Sequence, residues 1–189
     1  DTAIRRVTPT GEVTTFAGIY SAGGSIDGQG NVTRFNYPVG VAADSTGNIY
    51  VADTGNHTIR AITPDAVVTT LAGMAVYQGG NADGTGNVEV RFKSPKGVAV
   101  DTAGNVYVAD TSNNTIRRVA PGVVVTTLAG VAGGSGNSNG TRSEARFNIP
   151  ARLSIDGADN IYVNDMGNHT LRRITPGGVV STVAGLAGV

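Results

Sequence analysis

The feature that most constrains this chain is an internal repeat. Three stretches align from end to end: FNYPVGVAADSTGNIYVADTGNHTIRAITP from Phe35, FKSPKGVAVDTAGNVYVADTSNNTIRRVAP from Phe92 and FNIPARLSIDGADNIYVNDMGNHTLRRITP from Phe147. Their prolines, Pro38, Pro95 and Pro150, lie 57 and 55 residues apart. Each stretch runs into a shorter apolar segment, VVTTLAG at Val67 and Val124 and VVSTVAG at Val179. The N-terminal IRRVTPTGEVTTFAG matches only the second half of this unit. Half a unit is therefore followed by three whole ones. A fixed period of this size marks a repeat architecture, in which stacked neighbours share a continuous core.

Within the first unit, four β-prone runs (VGVAAD, NIYVAD, TIRAIT and VVTTLAG) are separated by STGN, TGNH and PDA. Turn residues at that spacing punctuate short strands. No run has apolar residues at helical spacing over ten residues, so no helix is expected. Glycine is abundant, at 28 of 189 residues, but 40% of the chain is hydrophobic, which excludes a disordered low-complexity tract. Four-stranded meanders at a fixed period predict an all-β fold of β-propeller blades, each of four antiparallel strands. The small apolar first run suits the crowded axis. Tyr50, Tyr107 and Tyr162, at one repeat position in the second run, suit packing between blades.

The pattern P-x-G-V-A-x-D, then G-N-x-Y-V-A-D, N-x-T-I-R and V-x-T-x-A-G resembles the NHL repeat, as found in bacterial-type NHL propellers. The resemblance covers nearly everything outside the loops. It implies blades with the VGVAAD-like run innermost and the VVTTLAG-like run outermost. The expected division is a half blade of two outer strands with its connecting loop over 1–34, then blades over 35–91, 92–146 and 147–189. All four belong to one propeller domain or segment of about three and a half blades, an incomplete ring.

A propeller needs about four to eight blades. Further blades in the same chain, or identical chains, are therefore expected to close the ring, since open blade faces are apolar and adhesive. The chain starts at Asp1 without a Met, as expected of a processed product or a portion of something longer. Fourteen basic and fourteen acidic side chains cancel, leaving no long-range field to attract nucleic acid or anionic lipid. No apolar run approaches the roughly 20 residues of a membrane-spanning helix. Nucleic acid and membrane insertion are thus not expected.

The candidate chemistry is sparse. Asp44, Asp101 and Asp156 recur at the end of the inner run, and Asp53, Asp110 and Asp165 at the end of the second. A carboxylate repeated in every unit suits a repeated structural job, such as accepting turn N–H groups, better than catalysis. His57 and His169 share a repeat position on separate units and there is no cysteine, which leaves a zinc site without converging ligands. The long loops carry SIDGQGN, NADGTGN and NSNGTRS. Asp27, Asp83 and Asn139 in these tracts are the candidates for calcium, but the terminal bidentate Glu of a calcium loop is missing and Asx turns explain the pattern. Arg34, Arg91 and Arg146, each before a Phe, are expected to pair with nearby carboxylates. The third unit departs from its siblings: Gly40/Gly97 becomes Arg152, Ala42/Ala99 becomes Ser154 and Ala52/Ala109 becomes Asn164. Arg152 and Ser154 lie two apart on one face of the innermost strand, which makes these three the candidates for an axial site binding carboxylate or phosphate.

The expected function is a non-catalytic interaction or scaffold module binding protein, peptide or glycan on its loop faces. Its expected setting is a larger surface, periplasmic or secreted protein. The resemblance also implies an alternative, a metal-dependent lyase or lactone hydrolase completed by further blades. A subunit of a self-assembling fibre or surface layer is the third reading.

Overall fold

A computed structural model describes residues 2–188. It contains four antiparallel sheets. The half blade is β1 (Ala3–Val7) with β2 (Val13–Gly18). The first full blade holds β3 (Gly28–Gln29), β4 (Pro38–Ala43), β5 (Ile49–Asp53), β6 (Thr58–Ile62) and β7 (Val67–Ala72). The second holds β8 (Gly84–Thr85), β9 (Gly97–Val100), β10 (Val106–Asp110), β11 (Thr115–Ala120) and β12 (Val124–Gly130). The third holds β13 (Gly140–Thr141), β14 (Pro150–Ile155), β15 (Ile161–Asp165), β16 (Thr170–Ile174) and β17 (Val179–Ala184). Each full blade is the expected four-strand meander with one addition. A two-residue strand from the incoming loop pairs with the outermost strand, giving the order β3-β7-β6-β5-β4 and its two copies. Each long loop thus folds over the outside of the blade it leads into before reaching the axis.

Local chemistry sets the turns. Asp44 accepts from the N–H groups of Thr46 and Asn48, both at 2.9 Å, and so closes the hairpin between the first two strands. Asp101 and Asp156 do the same in the other blades. Between the second and third strands a 3₁₀ turn (Thr54–Asn56, Thr111–Asn113, Met166–Asn168) ends on a left-handed residue. That residue is His57, Asn114 or His169, with φ of 60°, 57° and 57°. Asn and His are among the non-glycine residues enriched in this region. The only α-helical element among the described residues is one turn, α1 (Gly86–Glu89), too short to show the periodicity that reveals a helix in sequence.

The core lies between sheets. Ala52, Ile59 and Ala72 of the first blade pack on Val98, Val106, Val108 and Val119 of the second. Tyr107, Ala109, Ile116 and Ala129 of the second pack on Ile161, Val163 and Ile174 of the third. Tyr107 therefore serves the junction, while its hydroxyl donates to Asp101 at 3.0 Å. Near the axis the blades approach closely because the innermost strands carry glycine. A Cβ on Gly40 would lie 2.1 Å from the Lys96 carbonyl oxygen, and one on Gly97 would lie 2.6 Å from that of Ala151. Neither glycine has a positive φ, so the requirement is proximity rather than backbone conformation.

Two mutants measure that requirement. Gly97→Ala is expected to cost about 1–3 kcal/mol through overpacking, read as a lower urea midpoint. Gly157→Ala, where an added Cβ meets nothing within 4 Å, should leave the midpoint unchanged.

Candidate functional site

Every full blade contains the same buried guanidinium. Arg60, Arg117 and Arg172 are at most 1% exposed. A strand bulge beside each one helps to turn it inward. The Nη1 of Arg117 donates to Asp110 at 2.9 Å and to the Arg91 carbonyl at 3.1 Å, and its Nη2 reaches Asp83 at 2.5 Å. The cation lies 5.2 Å from the Phe92 ring centroid. Asp110 also accepts from Asn113 and from the Lys93 N–H, both at 2.7 Å. Burial pushes the Asp110 carboxyl up to about 6, against these bonds, which favour its ionised form. Asp53 and Asp165 hold the matching bonds to Arg60 and Arg172.

These networks fix where the sequence candidates go. Asp27 and Asp83 pair with Arg60 and Arg117 and accept from the N–H of Thr70 and Thr127 on the outer strand. Asn139 accepts from Arg172 at 2.9 Å and from the Thr182 hydroxyl at 3.2 Å. The three stand on separate blades, each beside its own arginine, and are not brought together. Among the described residues no three His, Cys, Asp or Glu side chains are grouped as metal ligands. Among the described residues Arg34, Arg91 and Arg146 do not pair with carboxylates as expected. They donate to carbonyls of the short turn just before them, such as Val32 and Val88, because Arg60, Arg117 and Arg172 already hold the carboxylates.

Arg152 stands on the innermost strand, and its Nη1 donates across the axis to the Val39 carbonyl of the first blade at 3.0 Å. Asn164 is its Cα partner on the next strand, and Ser154 lies two residues along. All three are exposed, on the open face of the third blade. Asn164 occupies the position of Ala52 and Ala109, which are fully buried in the two internal junctions. It therefore lies on a blade-to-blade surface, a placement that the strand pattern alone does not specify.

The loop-bearing face holds what sequence reasoning missed. The outer-to-inner loops and the 3₁₀ turns emerge together there, as shown by the Gly55 N–H donating to the Asn36 carbonyl at 2.8 Å. Between the first two blades an open cleft of about 640 Å³ is lined by His57, Tyr77, Lys93, Ser94 and Asn113. The Nδ1 of His57 accepts from the Ser94 N–H at 2.9 Å, which fixes one wall. Tyr77 is 98% exposed, and Tyr20 and Tyr37, in the preceding loop of the same face, are 72% and 64% exposed. None of the three is repeated in the other units: Ala75 and Ala132 stand where Tyr20 does, and Ser94 and Ile149 where Tyr37 does. Their lack of siblings was the signal available in sequence.

The family model for the NHL repeat matches residues 35–62 and 92–119, within the first two full blades. The chain carries NHL repeats. Over 150 residues, 73% of this chain, it is 33% identical to NHL repeat-containing protein 2 of Bos taurus. It spans only 20% of that relative's length. Among solved structures, a chain of the nidogen/laminin complex matches with a TM-score of 0.65 at 20% identity, over 98% of this chain and 57% of that one. Virginiamycin B lyase from Staphylococcus aureus matches at 0.58 and 14%, over 96% and 48%. At these identities the likeness is one of fold: NHL blades here, propellers there.

Two experiments probe the buried networks and hairpins. Arg117→Ala strands Asp110 in the interior and should cost about 3–5 kcal/mol in urea unfolding. Replacing Arg117 and Asp110 together with Met and Leu should cost less. The hairpin carboxyls supply a pH dependence. Partial burial raises Asp101, but its bonds from Asn105, Tyr107 and Ala103 outweigh that and hold it below its ordinary value. Hydrogen bonds from Asn160 hold Asp156 low as well. Such groups ionise more readily folded than unfolded. Their contribution is present above about pH 4 and is lost as the pH falls through the folded values. Asp101→Asn should therefore flatten the acid limb of a stability–pH curve measured between about pH 5 and 2.

Proposed function

We propose that this chain is a non-catalytic interaction module, part of a larger surface or secreted protein, that recognises protein, peptide or glycan through its loop-bearing face. The observation that carries this reading is the trio of exposed tyrosines, Tyr20, Tyr37 and Tyr77, on one face of an otherwise repetitive scaffold. An aromatic ring left in water serves no core. It offers a large, rigid contact area with a polar tip, which is what recognition surfaces use. Beneath it the loops are tied down by Asn56, Asn113 and Asn168, which donate to the carbonyls of Gly24, Gly80 and Gly136 at 2.7, 2.6 and 2.7 Å. The surface is therefore preorganised, which lowers the entropy lost on binding.

The fold is compatible with either class of role, since its likenesses include a protein complex and a lyase. The chemistry of the side chains favours binding. The recurrent carboxylates are held by turn N–H groups, asparagines and arginines. An enzyme on this scaffold would need its acid, base or metal ligands from other residues.

The test is a screen of the purified chain against peptide and glycan arrays, repeated with a Tyr20→Ala/Tyr37→Ala/Tyr77→Ala variant. Binding is expected to fall at least about tenfold while the melting temperature stays unchanged, because exposed side chains contribute little to folding. A ligand that binds the triple variant as well as the parent, or that protects the opposite hairpin face from hydrogen exchange, overturns the reading.

A further inference from the structure

The cleft between the first and second blades stands where the repeat is broken three times over. Its loop is longer than the others. Gly24, Gly80 and Gly136 anchor the three loops alike, each donating its N–H to the carbonyl of Phe35, Phe92 or Phe147. Gly80 lies seven positions after Gly73 at the end of the outer strand, against six from Gly18 to Gly24 and from Gly130 to Gly136. Tyr77 and Gln78 form the tip of a turn that Gly79 closes, its N–H donating to the Val76 carbonyl at 3.3 Å. A Cβ on Gly79 would lie 3.1 Å from the Lys93 Cα and 3.2 Å from the His57 Cγ. The turn is thus held against both walls of the cleft.

The other two changes belong together. Asn36 and Asn148 fold over the 3₁₀ turn, where a Cβ on Gly55 or Gly167 would lie 2.7 or 2.6 Å from the amide carbon. The second blade has Lys93 and Ser112 at these positions. The Cβ of Ser112 takes the space of the amide, and Lys93 is exposed and lines the cleft instead. Among the described residues Lys93 is paired with no carboxylate, and no Asp or Glu lines the cleft. Between the second and third blades Asn148 and Asn114 replace Lys93 and His57. The positive charge is therefore confined to one cleft.

We propose that this cleft binds an anionic sugar, one that carries a carboxylate or a sulfate. The inference rests on the interaction-module reading and names its ligand class. Lys93 supplies the charge-assisted contact to the anion. The Nδ1 of His57 accepts from the Ser94 N–H, so the proton of the ring is carried on Nε2 as a second donor. Gln78 and Asn81 present amides, which donate and accept as sugar hydroxyls require. The exposed ring of Tyr77 gives the C–H face of a pyranose a flat surface on which to stack. Asn113 is fixed below, donating to the Gly80 carbonyl at 2.6 Å and to Asp110 at 2.7 Å. A peptide would need apolar pockets for its anchors, and no aliphatic side chain lines the cleft.

The test is a glycan array on which uronic-acid, sialic-acid and sulfated oligosaccharides stand beside their neutral counterparts, with acidic peptides included. Anionic glycans are expected to bind at least about tenfold more tightly than neutral ones, and less tightly as salt is raised. The carboxylated and sulfated arms tell which anion is preferred, and preference for either supports the inference. Lys93→Gln should abolish the anionic preference without changing the melting temperature, since its side chain is exposed. Lys96→Gln, at the only other lysine and outside the cleft, should leave binding unchanged. Equal binding of neutral and anionic glycans, binding of peptides alone, or an anionic preference that survives Lys93→Gln overturns the inference and leaves the module reading standing. Failure to bind any glycan or peptide overturns both.

Discussion

The buried arginine of each blade is the interaction on which the rest of the architecture depends. A guanidinium removed from water is costly unless its donors are met, and an ion pair alone rarely offsets the desolvation. Here Arg60 reaches Asp53 on the second strand, Asp27 and the Ile26 carbonyl in the incoming loop, and the Arg34 carbonyl just before Phe35. Asp27 in turn accepts from Thr70 on the outer strand. One side chain thus joins the second strand, the third strand and the loop, and through Asp27 the fourth. The ring of Phe35 lies 5.1 Å from the cation, and of this guanidinium's nitrogens only Nε is left without a hydrogen-bond partner. The geometry recurs with Arg117 and Arg172, and Asn139 accepts from Arg172 where the other blades use Asp. That substitution shows that the position needs an oxygen acceptor more than a second negative charge.

This network separates what the fold needs from what is left for recognition. The chemistry-bearing residues repeated in all three units have a structural account: Asp for turns and arginine, Asn for loop carbonyls, Phe beneath the cation. His57 and Asn114 belong to the same class, since each accepts an N–H from the next blade, at Ser94 and Ile149. A position in the left-handed region that must also present an acceptor admits Asn and His alike. Function is then left to the singular residues, and these fall into two sets. The exposed tyrosines lie on the loop-bearing face, and Arg152, Ser154, Asn164 and Met166 lie on the open blade face.

Much of the fold was legible because it is local and repeated three times. The innermost small residues and the junction role of the tyrosine followed from pattern, and the strand order from the resemblance to the NHL repeat. The fifth strand was not legible. Gly28–Gln29 and its copies are two residues long and have no periodicity, and their pairing is set by where the loop lands on the outer strand. The arginine assignment failed for a related reason. Arg34 and Arg60 are both cations near Asp53 in sequence terms, and only the bulge at Ile59/Arg60 decides which is turned inward. The site was less legible still. Exposure of Tyr77, or of Asn164 beside buried counterparts, depends on what packs against a surface, and no run of residues encodes that locally.

Arg5 makes the same point from the other end of the molecule. It occupies the repeat position of Arg60, Arg117 and Arg172, next to the same bulge, yet it is exposed. Its blade consists of only two strands among the described residues, so it has neither the carboxylate of a second strand nor the ring of an incoming Phe. The arginine is therefore not buried by its own strand's sequence but by three other segments arriving together. The two open faces of the molecule differ accordingly. The half blade displays Arg5 with Val7 and Val13, 64% and 51% exposed, residues that a completed blade buries. The third blade displays Arg152 and Asn164 where the two internal junctions have glycine and alanine. One face carries the arginine and valines that the full blades bury, and the other carries larger polar side chains where the internal junctions are small.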